Sequence, residues 1–124
     1  MSWKYSQSSG AISKDGITVG SGYSGYQEGL DNPQMEQTVG IGPIPQGLWT
    51  ISGPPFDNPE HGSYCLRLSP QAGTFTFGRD GFLIHGDEVE HAGEHLASRG
   101  CIVTDRVTRT RIYQSGDTTL EVTP

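Results

Sequence analysis

Two residues able to do chemistry together stand in one glycine-punctuated stretch. His85 lies in Ile84-His85-Gly86-Asp87, and Cys101 follows sixteen positions later in Ser98-Arg99-Gly100-Cys101. A thiol is mostly protonated at neutral pH. A neighbouring imidazole can take its proton and leave a sulfur able to attack a carbonyl. The two must meet in space, which a His at the end of a strand and a Cys reached through a polar loop can do. The residues around them suit the task. Gly100 lets a substrate approach the backbone, and small residues there can aim main-chain N–H groups at a developing oxyanion. Arg99 adds positive charge beside the thiol and could hold a substrate carboxylate. Arg79 reads either as a second carboxylate ligand or as part of the Gly78–Gly81 turn, and Tyr23 with Ser24 either as groove lining or as packing.

Other readings of the same residues stand beside this one. A Cys next to a Gly in a β protein is commonly a small buried hydrophobe. A Cys65–Cys101 disulfide would silence the thiol. His91 and His95, at i and i+4, could bind zinc together with His85, Asp87 or Cys101. Their segment, His91-Ala92-Gly93-Glu94-His95, is not the His-Glu-x-x-His pattern, and Gly93 weakens a helix there. His61, in a Pro/Gly loop, reads most simply as a solvated side chain.

The elements that must position these residues are short. Residues 2–6, 11–13 and 17–19 have strand character, the last two joined by a hairpin at Asp15-Gly16. Residues 27–37 read as a surface loop. Leu48–Ile51 is a strand, 53–62 a loop, and Ser63–Leu68 a strand with Tyr64, Leu66 and Leu68 on one face and Cys65 and Arg67 on the other. Thr74–Phe77 and Phe82–His85 flank Gly78–Gly81 as a second hairpin that delivers His85. One helical turn is expected within 89–96, and 100–103 is a short segment. Asp105 is a good N-cap for a helix over 106–113, and a last strand runs over 119–122. The sum is a mainly β chain of roughly eight strands with one or two short helices, a sandwich or barrel.

Composition agrees. Glycine and proline number 18 and 8 of 124 residues, which disfavours long helices and favours strands joined by tight turns. The net charge of −6 and the scattered basic residues argue against nucleic acid. No apolar run is long enough for a membrane span. The first residues lack a secretory leader, so the chain is expected to be made in the cytoplasm and to stay there or leave by a leaderless route. Residues 1–124 form a single domain, with no dimer required.

The pattern His, about sixteen residues, then Ser-x-Gly-Cys resembles the L,D-transpeptidase (YkuD-type) signature. The wider set is similar to L,D-transpeptidase-like effectors of bacterial type VI secretion. That set comprises Trp3-Lys4-Tyr5, Ser9-Gly10, Gly22-Tyr23-Ser24-Gly25, Gly42–Gly47, Gly78-Arg79, Phe82–Asp87 and Ala97–Ile102. Arg99 stands where the larger family has His, and Val103 where it has Asn. The resemblance implies a YkuD-like β-sandwich or barrel acting on peptidoglycan stem peptides without a cofactor. Cys101 would be the nucleophile and His85 the base, oriented by a main-chain carbonyl, with Ser98, Arg99, Gly100, Gly86, Asp87, Arg79 and Tyr23 around the substrate. It also implies delivery to the periplasm of a target bacterium, an immunity protein and a secretion-system partner. The alternatives are a non-catalytic wall-binding module gripping the stem through Arg79, Arg99 and Tyr23 or Tyr26, and a zinc hydrolase using His85, His91 and His95.

Overall fold

The computed structural model describes residues 2–87 and 92–124. Eight strands close into a barrel. In chain order they are β1 (Trp3–Ser6), β2 (Ala11–Lys14), β3 (Ile17–Tyr23), β4 (Gly47–Asn58), β5 (Gly62–Pro70), β6 (Leu83–His85), β7 (Ile102–Thr104) and β8 (Thr119–Thr123), with a helix α1 (Arg106–Gln114) between the last two. Around the barrel the order is β1-β2-β3-β7-β6-β5-β4-β8. Two neighbouring pairs are parallel: β1 with β8, which ties the chain ends together, and β6 with β7, which carries the candidate site.

Side chains alternate between the two faces of each strand. The inward set is Trp3 and Tyr5, Trp49 and Ile51, Leu66 and Leu68, Ile84, Ile102, Leu120 and Val122, joined by Phe82 and by Ile112 from α1. Trp49 is fully enclosed; its Nε1 donates to the Pro45 carbonyl at 3.0 Å and its ring meets Phe82 edge-on. Leu66, Ile84 and Ile102 are successive register partners across β5, β6 and β7. Because these three point inward, their flanking residues Cys65, Leu83, His85, Cys101 and Val103 are directed to the opposite face. The helix starts as its N-cap requires, with the Asp105 carboxylate accepting the Thr108 N–H at 2.7 Å.

Three sequence expectations change. Thr74–Phe77 is not a strand, so the second hairpin does not form. Phe77 sits at φ 56°, a left-handed conformation that breaks strand geometry, and Phe75 and Phe77 pack edge-on against each other with much of their surface exposed. β6 pairs instead with β5 and β7. β4 continues through 53–58, expected as loop, with register shifts after Ser52 and Phe56 that accommodate its prolines. Residues 92–96 form turns rather than a helix, and the rest of that expected helical turn lies outside the described residues. The 27–37 loop contains two short 3-10 turns, Gln27–Gly29 and Pro33–Met35.

Candidate active site

The site begins with the parallel β6–β7 pair. His85 ends β6 opposite Val103, and Cys101 precedes β7 beside Leu83, whose N–H lies 3.3 Å from the Cys101 sulfur. Leu83 and His85 are two residues apart, about 6.6 Å along the strand, and the strands are about 4.8 Å apart. His85 and Cys101 therefore flank one β6–β7 seam, a strand spacing across and two residues along.

His85 is wholly enclosed. Its Nδ1 lies 2.8 Å from the Gly86 carbonyl oxygen. A carbonyl only accepts, so Nδ1 carries the hydrogen and Nε2 keeps its lone pair. That Nε2 is buried with no hydrogen-bond partner among the described residues. Burial pushes the His85 pKa down to about 4; the Gly86 carbonyl and Asp87 pull upward, while His61 and Arg109 add to the downward shift. The imidazole is thus neutral at physiological pH.

Cys101 is part-exposed, its sulfur also 3.7 Å from the Gly81 carbonyl. Burial pushes its thiol pKa up and Cys65 adds to that, against the Leu83 N–H and the Arg79 guanidinium, which favour the thiolate. The nearby arginine charge comes from Arg79, whereas Arg99 stacks its guanidinium over the Tyr26 ring at 4.0 Å. Both cysteines are free. β6 lies between their two strands, which puts them two strand spacings apart, about 9.6 Å, beyond the ~7 Å between Cα atoms that a disulfide spans.

The segment before Cys101 is tied to three others. Ser98 Oγ donates to the Cys101 carbonyl at 2.6 Å and accepts the N–H groups of Gly25 at 2.9 Å and Gly100 at 3.1 Å. The Gly100 N–H, expected to face an oxyanion, is therefore occupied by Ser98. Ser24 Oγ donates to the Gly100 carbonyl at 2.9 Å and accepts the Ile44 N–H at 2.8 Å. Arg79 is buried. Its Nη1 donates to the carbonyls of Glu36 and of Pro43 (2.8 Å), and its Nη2 to those of Gly42 (2.8 Å) and Arg99 (3.3 Å). Gly100 has to be glycine: at φ 135°, a Cβ there would lie 2.5 Å from Arg79 Nη2 and 2.9 Å from the Phe82 ring.

On the imidazole side, Tyr23 Oη donates to Asp87 Oδ1 at 2.7 Å and accepts the Ala97 N–H at 3.1 Å, while Asp87 Oδ2 accepts the Gly93 N–H at 2.9 Å. Tyr23 and Asp87 thereby clamp both ends of the loop after β6. Gly86 leaves room for Arg109, whose Nη1 a Cβ would approach to 2.5 Å and which itself donates to the Thr104 carbonyl at 2.6 Å. A cleft of about 490 Å³ opens here, between Tyr23, Gly86, Asp87, His95, Arg106 and Arg109; Cys101 is not in its wall. His95 meets the Tyr23 ring edge-on. His91, of the zinc reading, lies outside the described residues, and among the described residues no three His, Cys, Asp or Glu side chains group as a metal site would require.

Besides Arg109, a second residue of the site was not anticipated. His61, expected to be solvated, stacks on His85 with ring centroids 4.1 Å apart and planes 19° off parallel.

With this geometry in hand, the comparisons with known proteins are decisive for family. The pattern of the Tlde1 domain matches residues 18–122, which include His85, Cys101 and all the residues around them. The chain belongs to the Tlde1 domain family. This bears out the resemblance to L,D-transpeptidase-like effectors of type VI secretion. The fold is similar to that of an L,D-transpeptidase from Mycobacterium smegmatis, with TM-score 0.50 and 19% identity over 98% of this chain. The chain spans 58% of that protein's length. No curated protein matches the sequence. The family match and the fold similarity thus agree with each other. Among the described residues no helix is long and apolar enough to cross a membrane.

Proposed function

We propose that this Tlde1 domain is a cysteine-dependent L,D-carboxypeptidase or L,D-transpeptidase of peptidoglycan stem peptides. The observation that carries the reading is the state of His85. Nδ1–H is committed to a main-chain carbonyl, and a buried, unpartnered Nε2 belongs to the strand that runs beside the part-exposed Cys101.

The neutral forms of both groups are favoured at rest, since burial raises the thiol and lowers the imidazole. Proton transfer therefore accompanies attack, in place of a preformed thiolate–imidazolium pair. His85 Nε2 takes the sulfur proton as Cys101 Sγ bonds to the carbonyl carbon of the L-centre preceding the terminal D-alanine. The tetrahedral intermediate collapses, the C–N bond breaks, and the imidazolium returns its proton to the departing D-alanine nitrogen. A thioester remains. Water attacking it gives the shortened stem and free enzyme; an amine, such as a D-amino acid, gives exchange or a cross-link. Arg79 keeps positive charge beside the sulfur, and Ser98 and Ser24 hold the loop that carries it. In this reading the domain acts in the periplasm of a target bacterium, delivered by a secretion system and countered at home by an immunity protein.

Purified domain incubated with muropeptides and followed by mass spectrometry tests it. The parent releases or exchanges terminal D-alanine. Cys101→Ala and His85→Ala lose this by at least roughly a hundredfold, the scale of general-base and nucleophile deletions. Undiminished turnover by Cys101→Ala would falsify the assignment. Stoichiometric binding to sacculi with no product from the parent would instead favour the wall-binding module.

A further inference from the structure

His85 has its hydrogen-bonding needs only half met. One nitrogen is satisfied by Gly86, and the other is buried and unpaired. A single hydrogen bond leaves an imidazole free to pivot about it, and a pivot of a few tens of degrees re-aims Nε2. The packing around it has to set the plane of the ring, and His61 lies flat against one face of it.

The contact is supplied from a distant part of the chain. His61 sits at the turn between β4 and β5, where Asn58 and Gly62 are register partners. The Asn58 side-chain oxygen accepts the N–H groups of Glu60 at 2.8 Å and His61 at 3.1 Å, and Gly62 takes φ 86°. This turn leaves the His61 ring half-exposed on one side and laid on His85 on the other. β5 then runs beside β6, so turn and base belong to one continuous piece of sheet.

We propose that His61 is a positioning residue, which acts through His85 by holding the ring plane that aims Nε2 at Cys101 and by shutting water off one face of that ring. The inference rests on the thiol–imidazole chemistry proposed above. A flat ring on a flat ring restricts tilt without consuming the one nitrogen needed for proton transfer. The choice of imidazole adds a second effect. The charged or titratable groups acting on His85 are His61 from the β4–β5 turn, Arg109 from α1 and Asp87 on its own loop; Cys65 and Cys101 stand on the neighbouring β5 and just before β7. His61 adds to the downward shift of the His85 pKa and so helps keep the base neutral.

The test compares the parent, His61→Phe and His61→Ala in two measurements: kcat/KM against pH on muropeptides, and NMR titration of the His85 Cε1–H, which needs no turnover. In His61→Ala, kcat/KM is expected to fall roughly tenfold, and both the acid limb and the His85 midpoint to move to higher pH. His61→Phe keeps the stack, so its rate is expected to stay near the parent's, with a smaller upward move of the midpoint. A His61→Ala protein with the parent's kcat/KM and the parent's midpoint overturns the proposal. So does a His61→Phe protein as slow as His61→Ala, because a flat ring would then not suffice. If the parent turns over no muropeptide, the catalytic reading fails, and the positioning claim built on it fails too; a moved midpoint would then retain only the ring contact.

Discussion

The two halves of the candidate site are held in opposite ways. The sulfur side is over-determined: Ser98, Ser24 and Arg79, all buried, tie the 98–101 segment to the loops at 25, 36 and 42–44 through hydrogen bonds to main-chain groups. The imidazole side has a three-residue strand, one carbonyl and one stacked ring. A nucleophile has to be presented at one point to an incoming carbonyl, and a loop can do that only when its own polar groups are satisfied elsewhere. A base has to accept and return a proton, and for that it needs a lone pair left without a partner.

Removing Arg79 strikes this comparison hardest. Its guanidinium satisfies four main-chain carbonyls, and Ala in its place leaves them short of donors while opening a void beside Phe82. Urea unfolding of Arg79→Ala is expected to show a loss of about 3–5 kcal/mol. Arg79→Lys recovers little of it, because a single ammonium cannot reproduce the planar fork. A loss below about 1 kcal/mol for Arg79→Ala would mean that the sulfur side is no better held than the imidazole side.

The next effect belongs to the imidazole side and is read in pH. His85 has a folded pKa of about 4, below its ordinary 6.5. The unfolded chain therefore takes up this proton first as the pH falls. Stability drops through the window from about 6.5 to about 4 and levels off below it, by on the order of 3 kcal/mol. Denaturant midpoints across that window should fall in the parent and stay flatter in His85→Gln. Equal slopes in the two proteins would show that His85 is not held neutral by its burial.

This difference also explains what could be read before the structure. Period-two runs around Tyr5, Ile51, Leu66, Ile84 and Val122 marked the barrel strands, and Asp105 marked the helix, because burial and capping leave local patterns. His85 and Cys101 were visible because a strand end and a Gly-Cys step are local too. The roles of Arg79 and Ser98 were not, since a guanidinium that reaches Glu36 and Gly42 carries no trace of those partners in its own neighbourhood. Thr74–Phe77 looked like a strand from its aromatic alternation, but Phe77 turns left-handed and Arg79, two residues on, drops into the interior. His61 escaped for the same reason as Arg79: its partner is 24 positions away, across a hairpin whose β4 arm runs through Pro54 and Pro55 and looked like loop. The turn signal, Asn58-Pro59-Glu60-His61-Gly62, was present; nothing in it named what the turn would lie against.

The smallest effect sharpens the comparison within the imidazole side. Tyr23 Oη joins the Asp87 carboxylate to the Ala97 N–H, and Asp87 in turn holds the Gly93 N–H. The Tyr23 ring is packed and buried, so Tyr23→Phe keeps that burial and removes only the hydroxyl. Global stability should fall by about 1 kcal/mol. The local consequence should be larger than the global one: amide exchange at Gly93 and Ala97 should quicken well beyond what that loss predicts, while amides of β6 and β7 follow global stability. The contrast matters because the clamp joins the two ends of the segment leading from His85 to Cys101 without touching either. If β6 amides quicken together with Ala97, the clamp supports the strand as well as the loop, and His85 is better anchored than one carbonyl and one ring would make it.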